Sequence, residues 1–148
     1  MIKSASASEL PAGAFADRTK LKEAVDEWVL DDAAAATKYG PLAGWDTSRV
    51  DDLSNLFTSS TFNGEVGGWD TSRVKQMTYT FYGTVDEANS FNQPLVWDTS
   101  KVATMHRTFF RANGFNSELV WDTSQVTNMW GTFRDAEAFN APLVWDTS

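Results

Sequence analysis

The chain has 148 residues, is 42% hydrophobic and 14% aromatic, contains no cysteine and carries a formal net charge of −8. That length and apolar content suffice for one folded domain, while the missing cysteine excludes disulfides, a thiolate nucleophile and a zinc–thiolate site. An acidic chain lacks the clustered Lys and Arg that phosphate backbones require, so nucleic acid is excluded as a main partner, and no apolar run is long enough for a membrane span.

Residues 1–17 are rich in Ser and Ala with Pro11 and Gly13, a composition that reads as a flexible lead-in. The start has no apolar stretch of the secretory kind, which leaves an intracellular protein or one whose targeting segment was removed. From Arg18, apolar residues Leu21, Ala24, Val25, Trp28 and Val29 recur at helical spacing, with Asp17 or Thr19 placed to cap the helix. Asp31 and Asp32 restart a shorter helix through Ala33–Ala36, closed by Tyr39, Gly40 and Pro41. Residues 18–44 are therefore expected to form a helical cap over the first repeat.

The rest of the chain, 45–148, is a repeat. Trp-Asp-Thr-Ser recurs at Trp45, Trp69, Trp97, Trp121 and Trp145, spaced 24, 28, 24 and 24 residues apart, a period that signals stacked coils. The coils start at 45, 69, 97 and 121, with a partial one at 145. Fixed columns follow each Trp: Val50, Val74, Val102 and Val126; Leu53, Met77, Met105 and Met129; Phe57, Phe81, Phe109 and Phe133; then Phe-Asn at 62, 91, 115 and 139. Apolar residues three and four apart predict short helices near 76–83, 104–112 and 128–136, with a less regular one near 52–59. The stretch from Phe through Leu to the next Trp reads as one short strand per coil, building a narrow parallel sheet. The extra residues of the second coil, around Thr84–Asn89, are expected to bulge from the surface. The sequence as a whole predicts a right-handed α/β solenoid, leucine-rich-repeat-like, with an N-terminal helical cap. The chain stops inside a repeat, and an uncapped last coil would expose apolar edges, so end-to-end self-association through it is expected.

The string Phe-Asn-Gln-Pro-Leu-x-x-Asp-Thr-Ser-x-Val-x-x-Met-x-x-x-Phe, from Phe91 to Phe109, resembles the BspA-type leucine-rich-repeat surface proteins of bacteria and protists. The opening segment from Thr19 to Trp28, with Tyr39-Gly40 before the first Trp-Asp, is similar to the segment that often precedes such arrays. The resemblance implies a repeat scaffold at a cell surface or outside the cell, with adhesion or recognition roles and no catalytic activity.

Three sets of residues are candidates for function. The Asp column, Asp46, Asp70, Asp98, Asp122 and Asp146, offers oxygen ligands for a divalent cation. The competing reading is that each carboxylate accepts backbone N–H groups two or three residues on and caps a turn. The Asn column at 63, 92, 116 and 140 is expected to form a ladder to neighbouring backbone. The Trp column could serve as a sugar platform only if its rings faced out, and the Thr column at 47, 71, 99, 123 and 147 is a thin case for ordering water.

The positions that vary between coils are the most informative. Tyr79, Tyr82, His106, Arg107, Phe110, Trp130 and Arg134, with Thr78 and Arg111 beside them, make an aromatic and basic mixture on an acidic protein, and Trp, Tyr and Arg dominate binding hot spots. Packing across neighbouring coils is the alternative reading. His106 has no Ser or Cys at motif spacing and no isolated carboxylate pair exists, so an enzyme is not expected. No cofactor is implied. The expected function is a non-enzymatic scaffold for protein–protein recognition or cell-surface adhesion, binding a protein or host-surface ligand; the alternative is a glycan- or divalent-cation-binding surface protein.

Overall fold

The computed structural model describes residues 9–145. Two α-helices open the fold, α1 at Arg18–Leu30 and α2 at Asp32–Tyr39, followed by a 3-10 turn at Leu42–Gly44. Asp17 caps α1 by accepting the Lys20 N–H at 3.0 Å. Asp31 ends α1 and caps α2 by accepting the Ala34 N–H at 2.9 Å. Gly40, at φ +81°, closes α2 in the left-handed region that a side chain resists. Leu21, Ala24 and Val25 are buried on α1 and Trp28 packs half-buried against the same core, whereas Val29 is exposed. Glu27 ties the helices together by accepting from Lys38 at 2.8 Å and from the Tyr39 hydroxyl at 3.1 Å.

Part of the segment read as a loose lead-in is packed. The Phe15 side chain is buried against Trp45, with centroids 5.0 Å apart, and its N–H donates to Asp46 O at 3.1 Å. Gly13 lies so close to Tyr39 O that a Cβ there would approach to 2.4 Å. Residues 1–8 of that lead-in lie outside the described residues.

Residues 45–145 form four stacked coils, 45–68, 69–96, 97–120 and 121–145, wrapped around columns of like side chains. Phe57, Phe81, Phe109 and Phe133 lie face to face at 5.1, 5.2 and 5.3 Å. The second column, Phe62, Phe91, Phe115 and Phe139, runs at 6.2, 6.2 and 5.9 Å beside it. Within each coil the two Phe rings meet, as Phe81 and Phe91 do at 4.3 Å. Val, Leu, Met and Trp columns fill the remaining interior. Burial of apolar surface at about 25 cal/mol per Å² makes these columns the main stabilising term.

The expected α/β solenoid of the leucine-rich-repeat kind is not what forms. Among the described residues no strand or sheet occurs, and no helix occurs in any coil. The segments near 52–59, 76–83, 104–112 and 128–136 are successive turns, not helices. Asn55, Tyr79, Arg107 and Gly131 sit at φ of 58°, 58°, 52° and 66°, and Ser59, Arg111 and Asp135 repeat the left-handed geometry one turn later. A left-handed residue stops a right-handed helix. The amides then bond forward instead: Met77, Tyr79 and Phe81 N–H donate to Thr104, His106 and Thr108 O at 3.0, 3.0 and 2.8 Å. Spacing of three and four residues suits a helix and this turn path equally, which is why the pattern misled. The expected parallel sheet is reduced to isolated bridges, such as Gln76 with Thr104 and Leu119 with Leu143.

Candidate functional site

The turn segments carry the variable side chains on the outer edge of the stack, and the structure brings all seven candidate residues there into one cluster. Tyr79 meets Tyr82 at 5.0 Å and His106 at 5.3 Å, both edge to face. Tyr82 stacks on Phe110 at 5.2 Å, and His106 on Trp130 at 5.4 Å with 15° between planes. The guanidinium of Arg107 lies at the centre, 4.4 Å from the Trp130 ring, 5.1 Å from Phe110 and 5.7 Å from Tyr79. It also donates to the Tyr79 hydroxyl at 3.2 Å. Arg134 lies 6.0 Å from Trp130.

Several of these contacts bridge neighbouring coils, so packing and recognition draw on the same side chains. Phe110 is buried, Tyr79, Tyr82, His106 and Arg107 are half-buried, and Arg134 is exposed. Trp130 keeps 52% of its surface open. Arg111 joins the edge over Phe110 at 5.4 Å and pairs with Asp135 at 3.4 Å. Gly131 fits here for a local reason: at φ +66° a Cβ would come within 3.3 Å of the Arg107 stem.

The Asp column is arranged differently. Asp46, Asp70, Asp98 and Asp122 are exposed, and each accepts the N–H of the Ser two residues on at 2.9–3.0 Å. Ser hydroxyls, and then those N–H groups, hold the four carboxyls below their ordinary 3.8, outweighing the repulsion that Asp70 feels from Asp46 and Asp98. Each carboxylate thus serves its own turn. Among the described residues no three His, Cys, Asp or Glu groups gather as a cation site requires. Asp146 lies outside the described residues.

The remaining columns join coil to coil. Trp45, Trp69, Trp97 and Trp121 are buried, and the indoles of Trp69, Trp97 and Trp121 donate to Leu42, Val66 and Leu95 O at 3.0, 2.9 and 3.3 Å. Their rings therefore present no outward platform for a sugar. Thr47, Thr71 and Thr99 are buried and donate to Asp70, Asp98 and Asp122 O, so these hydroxyls face the stack and not surface water; Thr147 lies outside the described residues. The exposed Asn column forms a ladder in which Asn63, Asn92 and Asn116 accept the backbone N–H of Asn92, Asn116 and Asn140 at 2.9, 2.8 and 2.7 Å.

Reading by columns missed one surface feature. Val96, Val120 and Val144 are each more than 80% exposed, the first two between a buried Leu and a buried Trp. The signal was in the sequence: Leu-Val-Trp repeated three times, with the middle residue out of phase with its neighbours.

Among the described residues no helix is long and apolar enough to cross a membrane. No curated protein and no solved structure matches the chain. One family does match, over residues 12–95 and again over 30–145. These overlapping matches take in the helical unit and all four coils, and the chain belongs to the family described as Mycoplasma protein of unknown function, DUF285.

Proposed function

We propose that the protein is a non-enzymatic recognition module that binds a protein partner through the outer turn face, in the manner of a surface adhesion repeat. The observation that carries this reading is the single aromatic and guanidinium cluster assembled from three coils, with Trp130 half open at its rim. Trp, Tyr and Arg are the side chains that dominate interface energetics, and a cluster already held by ring stacking loses little freedom on binding. The motif resemblance to BspA-type surface proteins supports a location outside the cell or on its surface. A glycan- or cation-binding role has less support, because Trp45, Trp69, Trp97 and Trp121 are buried and the four described Asp residues of the column are each engaged in their own turn.

Adhesion of protein-coated beads to cell monolayers tests the proposal. The double variant Trp130→Ser/Arg134→Gln removes the open rim together with the Trp130 ring contacts to His106 and Arg107, so its melting temperature should fall only slightly, the Phe columns being untouched, while adhesion falls to background. Equal adhesion by parent and variant would remove this face from the function.

A further inference from the structure

We infer that the turn face takes an acidic segment of a partner protein, with carboxylates on Arg134 and Arg111 and an apolar side chain laid on Trp130. This inference rests on the recognition role proposed above and names its partner chemistry.

The chain carries a net −8, yet three arginines converge on this one edge, and Asp135 pairs with Arg111 alone. Arg134 is exposed and makes no ion pair among the described residues. Its planar fork matches a carboxylate with two parallel hydrogen bonds. Arg107 is already committed to three rings and the Tyr79 hydroxyl. Its part is to hold Trp130 in place, so that the open part of the indole is presented ready-formed.

Donors outnumber acceptors around the open indole. Sugar hydroxyls need both, and sugar sites accordingly surround an aromatic ring with carboxylates and amides. Around Trp130 the groups are donors: Arg107 and Arg134 supply N–H only. Of the nearby acceptors, Asn128 Oδ1 takes the Trp130 backbone N–H at 3.0 Å and one Asp135 oxygen takes Arg111, while the buried His106 Nδ1 has no partner and would, as an N–H, add another donor. A donor-rich rim around an aromatic ring fits the acceptor-only carboxylates of Asp and Glu with an aliphatic or proline side chain between them.

The experiment uses the full chain and three probes: a synthetic Glu-Pro repeat peptide, a Lys-Pro repeat of equal length, and oligogalacturonate. Binding is read by tryptophan fluorescence and by fluorescence anisotropy of the labelled probe at low salt. The expected result is that the Glu-Pro peptide binds and the other two do not. Binding should weaken about tenfold or more in Arg134→Gln/Arg111→Gln and in Trp130→Ala, and should weaken as salt shortens the screening length. Silence of the Glu-Pro peptide would overturn the inference, as would binding unchanged in the variants. Oligogalacturonate binding with the peptide silent would overturn it in favour of an acidic glycan. If bead adhesion still depends on Trp130 and Arg134 while the peptide is silent, the acidic partner fails and the recognition role stands. If adhesion is also indifferent to those residues, both fail.

Discussion

The two sides of each coil are joined to their neighbours by different chemistry. On the turn side the backbone does the joining: amides at every second residue, such as Met105, Arg107, Phe109 and Arg111, donate to Asn128, Trp130, Thr132 and Arg134 O at 2.8–3.0 Å. On the extended side, from the Phe-Asn pair to Trp-Asp-Thr, the links are mainly side chain to backbone: the Asn ladder, the Trp indoles and the Thr hydroxyls. Backbone pairing between coils on that side is reduced, among the described residues, to an isolated bridge such as Leu119 with Leu143. Backbone joining leaves side chains on the turn side free to vary, and that is where Tyr, His, Trp and Arg replace one another between coils. Side-chain joining fixes identity, and that is where Asn, Trp, Asp and Thr repeat unchanged.

The contrast can be broken at its shared centre first. Phe109 is in contact with Phe81, Phe115 and Phe133, so Phe109→Ala should destabilise both sides together by about 3–5 kcal/mol, measured by urea unfolding. Two buried hydrogen bonds then test the sides separately. Thr108→Val removes a hydroxyl that donates to Met77 O at 2.7 Å, and Trp97→Phe removes the indole donor to Val66 O at 2.9 Å. Each should cost about 1–3 kcal/mol, but hydrogen exchange should separate them. Because the Met77 N–H and Thr108 O belong to the backbone ladder, Thr108→Val should quicken exchange at Met77 and Phe81, whereas Trp97→Phe should leave those amides protected. Equal effects on these amides would mean that the two sides open as one unit.

Smaller effects sharpen the comparison. Asn116→Ala removes the acceptor for Asn140 N–H, but the site is exposed and water replaces it, so the loss should be about 0.5–1.5 kcal/mol in the same unfolding assay. Acid should have the mildest action. The carboxyls of the Asp column are held below 3.8 by Ser hydroxyls and N–H groups. Their contribution is therefore complete above that value and is lost as pH falls through the lower folded values. Melting temperature measured against pH should decline through this acidic window, and Asp98→Asn should flatten the decline.

Much of this organisation was legible in the sequence because repetition identifies which residues share a column. Fixed Val, Met, Phe and Trp marked the interior, and Asp two residues before Ser marked a turn. The backbone path was not legible, for a physical reason: residues 50, 53 and 57 face inward at helical spacing whether the chain between them is helical or passes through a left-handed residue such as Asn55. Nothing in Tyr79 or Arg107 announces a positive φ, since neither is Gly or Asn. Their geometry follows from the forward hydrogen bonds and stacked neighbours that compensate its cost. The strand reading failed on the other side because alternation of buried Leu95, exposed Val96 and buried Trp97 records an extended chain, not the ladder that would make it a sheet. The seven residues were selected as the positions beside the fixed Met and Phe columns that vary between coils and carry aromatic or basic side chains; what the structure adds is that Arg107 stands among the others and joins three of their rings.

The second coil shows how a longer repeat fits the same stack. The chain leaves at Gly83, whose N–H donates to Phe110 O at 2.8 Å, and returns at Asn89, whose buried amide bonds Phe57 O and caps the Phe91 N–H at 3.0 Å. Both ends are moored in the interior, while residues 84–88 meet solvent, with Val85 82% exposed. Closing a longer loop between fixed ends costs only about 0.6 kcal/mol per doubling of length. The interval between Gly83 and Asn89 is therefore a graft point, where a reporter peptide or an epitope can be spliced in while the coils above and below keep their register.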